Sequence, residues 1–293
     1  MKEFLYFHRY NIFGSKDMSD LICLEKIHNI NISSLEIVSS RLGRTVKADA
    51  FVPAGLQPGD LPALLLINDG QDMEKLGLSS ILADFFSAQD SRPLVCLAIH
   101  AGADRKMEYG TAGVPDYMGR GNKAGDYTLF IFEELLPSIR KQLGIPRFSE
   151  KLFAGFSLGG LSAMDIVWAH PHEFTRVGVF SGSLWWRTID QDDPAYDDDK
   201  HRIMHDLVRK GNYAPWLKFF FMTGTQDETN DRNNNGIIDS IDDTLGLMAE
   251  LERKGYDRQH DMHYLELADG RHDVDTWARA MPAFLAWALG KGE

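Results

Sequence analysis

Continuous apolar runs bounded by turn residues recur along the chain from about residue 60 onward. Residues 61–68 form one and end in Asn-Asp-Gly; 92–100, 150–156, 176–180, 216–223 and 260–267 form five more. Runs this short without polar alternation predict strands covered on both faces. Between them, apolar residues return at helical spacing over 79–88, 126–143, 159–169, 243–254 and 276–289. In 126–143 the repeating positions are Phe130, Leu135, Ile139 and Leu143. Such alternation predicts an α/β fold with a mostly parallel central sheet and helices on both faces. The stretch ahead of it differs. Residues 34–40 and 45–52 flank Arg41-Leu42-Gly43-Arg44 and predict an antiparallel hairpin with Gly43 at the turn. The chain thus divides into an N-terminal extension, 1–33, and a single domain, 34–293.

Composition narrows the function classes. With 44% apolar and 25% charged residues over 293 positions, the chain buries a sizeable core without staples. Asp and Glu outnumber Lys and Arg 43 to 31, a formal net charge of −12. A nucleic-acid backbone is repelled by that average surface, so no nucleic-acid partner is expected. The acidic stretch 190–199 reads as a solvated loop. Cys23 and Cys96 make no disulfide framework; Cys96, inside an apolar run, reads as an inert core thiol. No apolar run approaches the roughly 20 residues of a membrane span, and residues 1–9 lack a secretory apolar region. The expectation is a cytoplasmic protein with no membrane partner. Its oligomeric state is not legible.

The chemistry concentrates in Ala154-Gly155-Phe156-Ser157-Leu158-Gly159-Gly160. A predicted strand runs into G-x-S-x-G and a predicted helix follows, the pattern of a nucleophile elbow. The physics is steric: the serine backbone is strained so that its hydroxyl projects, and the residues two before and two after must be small. The helix then aims its dipole and free N–H groups at charge developing beside Ser157. In folds that carry this elbow, an acid and then a histidine follow in chain order. Gly224-Thr225-Gln226-Asp227-Glu228 closes a predicted strand, which makes Asp227 the candidate acid and Glu228 the alternative. Ala268-Asp269-Gly270-Arg271-His272 closes the last predicted strand and supplies the candidate base, His272. His201 and His205 stand one helical turn apart, yet no third metal ligand is evident. For an oxyanion, the backbone N–H of Leu158 is one expected donor; that of Gln71, after Asn68-Asp69-Gly70, is the other.

These segments resemble the Putative esterase family of the α/β-hydrolase superfamily, which includes enterochelin and feruloyl esterases, S-formylglutathione hydrolase and mycolyltransferases. The resemblance spans the chain from about Ser34. It rests on the hairpin E-I-V-S-S-R-L-G-R-T-V-K-A-D-A-F-V-P, on L-L-I-N-D-G-Q-D and on F-E-E-L-L-P-S-I. It rests further on A-G-F-S-L-G-G, S-G-S-L-W-W, G-T-Q-D and D-G-R-H-D-V-D-T-W. Asn68 departs from the family's usual neighbourhood at that place. The resemblance implies an α/β-hydrolase fold and a serine hydrolase acting through an acyl-enzyme. Ser157 is then the nucleophile, His272 the proton shuttle and Asp227 its orienting acid. It further implies that Trp185 and Trp186 wall the substrate pocket and that Arg105 and Tyr109 stand near it. No cofactor is required. The implied partner is a small-molecule ester, of siderophore or carbohydrate-linked type. A non-catalytic hydrolase-fold binding protein, or an acyltransferase or peptidase on the same triad, are the alternatives.

A second motif stands apart. Residues 231–242 read D-R-N-N-N-G-I-I-D-S-I-D, a twelve-residue EF-hand-like loop closest to a dockerin loop. Asp231, Asn233, Asn235, the Ile237 carbonyl, Asp239 and Asp242 take the ligand positions, Gly236 the sharp turn, and Ile238 the core anchor. No helix precedes the loop, unlike an EF-hand. Calcium there is expected to be structural, steadying the loop that carries Asp227.

Overall fold

A computed structural model of the protein describes residues 29–57, 59–88 and 92–290. Cys23 and most of the 1–33 extension lie outside the described residues. The hairpin is β1 (Ile30–Ser39) and β2 (Arg44–Pro53), paired antiparallel from Ile30↔Pro53 to Ser39↔Arg44, with Gly43 at φ 64° in the turn. It therefore begins four residues before the sequence pattern placed it. Residues 31–34 are exposed on an edge strand, where the alternation that marks a half-buried strand is missing.

Six further strands follow: β3 (Ala63–Asn68), β4 (Leu94–Ile99), β5 (Lys151–Phe156), β6 (Arg176–Phe180), β7 (Lys218–Gln226) and β8 (Met262–Arg271). They form one sheet of order β1-β2-β4-β3-β5-β6-β7-β8. Pairing is parallel from β4 through β8, and β2 joins the far side of β4 antiparallel. Every residue of β3 and β4 is buried, which accounts for their unbroken apolar runs. One buried cluster fills each face. Leu66, Phe153 and Phe221 point into the first, and Leu65, Phe156 and Phe220 into the second. The last helix, Val274–Leu289, covers the second face with Met281, Phe284 and Leu285.

The helix predicted over 126–143 is three segments: Ala124–Leu129, a π-helical stretch Phe130–Leu135, and Leu136–Leu143. The five-residue step from Phe130 to Leu135 suits that wider turn, and both side chains are fully buried. Strand order reverses between β3 and β5. From β3 the chain winds outward to β4; it then returns to the other side of β3 as β5. Ligand sites in such sheets open at the carboxyl ends of the strands flanking that reversal. The strands end there at Asn68 and Phe156.

Candidate functional site

Ser157 follows β5 and opens the helix Leu158–Ala169 with φ 53° and ψ −123°. That region is costly for a side chain other than glycine's and persists only where its surroundings enforce it. The enforcement is visible. A Cβ on Gly155 would lie 2.2 Å from the Gly159 carbonyl oxygen, and one on Gly159 would lie 2.6 Å from Asp69 Oδ2. Ser157 N–H donates to the Phe180 carbonyl (2.9 Å), and Ser183 N–H donates to the Ser157 carbonyl (3.1 Å). The turn is thus pinned on both sides by the end of β6 and the segment after it. Ser157 Oγ lies 3.4 Å from Ser183 Oγ. Beyond the serine, the N–H of Leu158 heads a helix and has no carbonyl one turn behind it.

Across the strand reversal, Asn68 ties β3 to the elbow. Its amide donates to the Gly159 carbonyl (2.8 Å), and its Oδ1 accepts the Tyr127 hydroxyl (2.6 Å). Asp69 adopts φ 64° and is held by a bidentate pair with Arg105, both contacts 2.6 Å. A Cβ on Gly70 would lie 2.6 Å from the Ala98 carbonyl oxygen, so the turn that presents Gln71 requires a glycine. The Gln71 side chain is engaged at both ends: Oε1 accepts the N–H of Ala101, just after β4 (3.0 Å), and Nε2 donates to Asp69 (3.1 Å).

Asp227 and His272 lie at the ends of adjacent strands, β7 and β8, and act on each other electrostatically. β8 runs on through Arg271, so His272 stands immediately beyond a strand rather than in a longer loop. Asp227 Oδ2 accepts the Gly224 N–H (3.1 Å), while its buried Oδ1 has no hydrogen-bond partner. Burial pushes the Asp227 carboxyl up; the Gly224 N–H, the Ser181 hydroxyl and His272 pull it back in part. The His272 imidazole sits below its ordinary pKa. Desolvation is the main cause and Arg105 pushes the same way, while Asp227 and Asp273 oppose it. The charges acting on Glu228 are Asp239 and Asp243, and His272 is not among them, which favours Asp227 as the acid. No hydrogen bond joins Ser157 to His272 or His272 to Asp227. Such contacts commonly tighten only when substrate binds.

The aromatic and cationic candidates divide. Tyr109 is fully buried, and its hydroxyl accepts the Asp69 N–H (3.3 Å). Trp186 is 1% exposed, packed against Gly110 and Gly121. Trp186 is a correction, since the ring is core and does not wall a pocket; Tyr109 stands near the elbow as expected, but its burial takes it out of the substrate contacts. Arg105 is one-third exposed, but its fork is committed to Asp69 and it lies over the Tyr109 ring. Trp185 alone of the pair reaches a cavity, of about 360 Å³, lined also by Tyr117, Arg120, Arg187 and Glu228. Arg120 and Arg187 lie over the Trp185 ring at 5.2 and 5.6 Å. Glu228 and Asp239 line the same cavity and Arg120 is paired with Asp116, so the lining is of mixed charge.

The 231–242 loop is closed by its own side chains. Asp231 accepts the N–H groups of Asn235 and Gly236, and the amides of Asn233 and Asn235 each approach Asp242 at 3.2 Å. Asp239 does not face the loop centre: it accepts the Arg232 N–H (2.9 Å) and pairs with the Arg232 guanidinium (3.2 Å). That removes Asp239 from the expected ligand set. Ile238 is half-buried rather than fully anchored, and the helix starts at Asp239, inside the loop. Among the described residues no group of three or more His, Cys, Asp or Glu side chains stands as a metal site. His205 is buried with Nε2 on the Asp243 carbonyl (2.9 Å), and His201 Nδ1 accepts the Asp197 N–H (2.9 Å), which separates that pair.

Sequence reasoning did not single out Asp69, Ser181 or Ser183. The small-residue run Ser181-Gly182-Ser183 after an apolar strand is a turn signal of the same kind as the elbow, and was its available trace.

The family model described as Putative esterase matches residues 39–288. Among solved structures, the chain is similar to an IroE-like serine hydrolase from Shewanella oneidensis, with TM-score 0.66 and 20% identity over 88% of this chain and 80% of that one. It is similar to the siderophore hydrolase EstB of Aspergillus nidulans, with TM-score 0.66 and 17% identity over 88% and 95%. It is also similar to the enterochelin esterase of Shigella flexneri, with TM-score 0.65 and 20% identity over 87% of this chain and 57% of that one. At such identities these likenesses establish the α/β-hydrolase fold. No curated protein sequence matches the chain.

Proposed function

The chain belongs to the Putative esterase family and is a carboxylic-ester hydrolase; from that premise we propose that it works through Ser157, His272 and Asp227 by way of an acyl-enzyme. The observation that carries this reading is the strained Ser157 backbone at φ 53°, ψ −123°, between two glycines whose Cβ positions are already occupied. Strain of this kind is kept where a side chain must be presented.

In the proposed reaction Ser157 Oγ attacks the ester carbonyl and gives its proton to His272. The lowering of the His272 pKa, chiefly by desolvation, favours the neutral, basic imidazole. The unpartnered Asp227 Oδ1 is the acceptor for the imidazole N–H and stabilises the imidazolium. The N–H groups of Leu158 and Gln71 receive the oxyanion. His272 returns its proton to the departing alcohol, and water then repeats the cycle on the acyl-enzyme. The substrate in this proposal is a small ester of siderophore type, and the cavity beside Trp185, where Arg120 and Arg187 meet Glu228 and Asp239, is the place proposed for its polar part. Structural neighbours include the enterobactin esterase of Shigella flexneri in the presence of enterobactin. The chemistry draws on no cofactor. Calcium in the 231–242 loop is a structural ion in this proposal, held by Asp231, Asn233, Asn235, the Ile237 carbonyl and Asp242.

The test is turnover of p-nitrophenyl acetate by the wild type and by Ser157→Ala. A fall of roughly 10³-fold or more in kcat supports the proposal; an undiminished rate overturns it.

A further inference from the structure

Asn68 closes β3, a strand otherwise made of Ala63, Leu64, Leu65, Leu66 and Ile67, and it is 0% exposed. A buried amide costs free energy unless both its ends are hydrogen-bonded. Here both are. Nδ2 donates to the Gly159 carbonyl at 2.8 Å, and Oδ1 accepts the hydroxyl of the buried Tyr127 at 2.6 Å. The amide stands only this way round. A carbonyl oxygen accepts and never donates, so Gly159 selects the NH2 end, and the Tyr127 hydroxyl has a proton for the other.

These bonds lie between the two expected oxyanion donors. Leu158 is the neighbour of Gly159 in the first turn of the helix after Ser157. Gln71 is three residues beyond Asn68, past the turn at Gly70. Other groups grip residues 69–71 from outside that helix. Arg105 holds the Asp69 carboxylate with two contacts of 2.6 Å, Tyr109 accepts the Asp69 N–H at 3.3 Å, and the Ala101 N–H reaches Gln71 Oε1 at 3.0 Å. Asn68 is the group that crosses to the elbow helix. It does so where the packing is close: a Cβ on Gly159 would lie 2.6 Å from Asp69 Oδ2 and 3.0 Å from Asn68 Cβ.

We propose that Asn68 is a positioning residue for the hydrolysis: its amide, oriented by Tyr127, sets the separation of the Leu158 and Gln71 N–H groups and so the fit of the oxyanion between them. The inference rests on the triad reading above and on the oxyanion donors named with it. Negative charge on the substrate oxygen develops only as Ser157 attacks. A hole set too wide therefore loses transition-state stabilisation and leaves binding of the uncharged ester alone. A misplacement of about 1 Å at such a site lowers rates by up to about 10²-fold.

Asn68→Leu keeps the approximate volume and removes both bonds. Tyr127→Phe removes only the hydroxyl that orients the amide, and stands in should Asn68→Leu fail to fold. Rates are taken per active site, counted by fluorophosphonate labelling to completion. Asn68→Leu is expected to lower kcat on p-nitrophenyl acetate by about 10- to 100-fold, and Tyr127→Phe by roughly threefold. Acylation and deacylation pass through like oxyanions and slow together, so KM is expected to stay within about twofold of wild type. Phenylboronic acid gives a second readout. Its boron takes the Ser157 oxygen while the hydroxyl proton passes to His272, and the tetrahedral anion so formed places an oxygen in the hole. Its Ki is expected to rise by about the factor by which kcat falls. Wild-type kcat per site and wild-type boronate Ki in both variants overturn the inference, as does a fall in kcat that the Ki does not follow. A loss confined to the number of titratable sites also overturns it, since a purely structural amide would give that. If Ser157→Ala retains activity, it is the triad reading that fails; if Ser157→Ala is inactive while these variants match wild type per site, this inference alone fails.

Discussion

At the scale of single residues, the account separates two neighbouring carboxylates. Asp227 interacts with His272, whereas Glu228 lines the cavity and accepts from Asn230 (3.2 Å). Asp227→Asn keeps the shape but presents an amide where the imidazole N–H needs a carboxylate, so kcat is expected to fall on the order of 10²–10⁴-fold. Glu228→Gln is expected to alter KM for charged esters and leave kcat on p-nitrophenyl acetate near wild type. Steady-state kinetics on both decides, and equal losses would reassign the acid. Ser157 was legible because its steric demand is written in the sequence as glycines on either side. Asp227 and His272, the proposed acid and base, were legible as candidates because each closes a strand. Tyr109 and Trp186 were not. An aromatic side chain near a site has the same local sequence signature whether it walls a pocket or backs it, and only burial distinguishes the two.

Among elements, apolar runs located β3 to β8 to within about four residues and the turn at Gly43 located the hairpin; β3 to β7 are covered on both faces, whereas β8 is an edge strand and largely exposed. The π-helical stretch Phe130–Leu135 was visible only as a five-residue step, which a helical pattern absorbs without remark. The 231–242 loop is where local pattern and tertiary context compete. Its spacing is that of a calcium loop, but Arg232 draws Asp239 away into a buried cluster with Asp198 and Asp243. Spacing carries no information about that cluster, since Asp198 lies far off in the chain. In the present arrangement the Asn233 and Asn235 amide nitrogens face Asp242. Rotating each carboxamide by half a turn offers oxygens instead. Calcium binding to the folded chain is therefore expected to raise the Tm by a few degrees over a chelated sample, an effect that Asp231→Ala abolishes. Superimposable melting curves with and without chelator would remove calcium from the account.

At the scale of the molecule, alternation predicted a parallel sheet but not the order of its strands. That order depends on which crossover packs where, and it brings Asn68 and Ser157 to one rim. None of the described helices is long and apolar enough to cross a membrane. The fold also buries a carboxyl with no cation beside it. Asp165, in the middle of the helix Leu158–Ala169, is 5% exposed and accepts the Ala112 N–H (2.8 Å). Burial pushes its pKa up to about 7. An unfolded Asp titrates near about 3.9. Between those values the folded chain holds a proton that the unfolded chain has released, so this group's contribution to stability falls as pH rises from about 4 to about 7 and is level beyond. Asp165→Asn keeps an acceptor for Ala112 and never ionises. It is expected to raise stability at pH 8 by on the order of 1–4 kcal/mol, with the gain shrinking toward zero near pH 4. Denaturant melts at the two pH values measure it, and a gain independent of pH would refute the assignment.

The most direct measurement of the central claim is the intact mass of the protein after exposure to a fluorophosphonate, followed by mapping of the modified peptide. One adduct per chain is expected, on Ser157, with concurrent loss of esterase turnover and no adduct on Ser157→Ala. Full inactivation with the label on another residue, or unchanged labelling of Ser157→Ala, would contradict it.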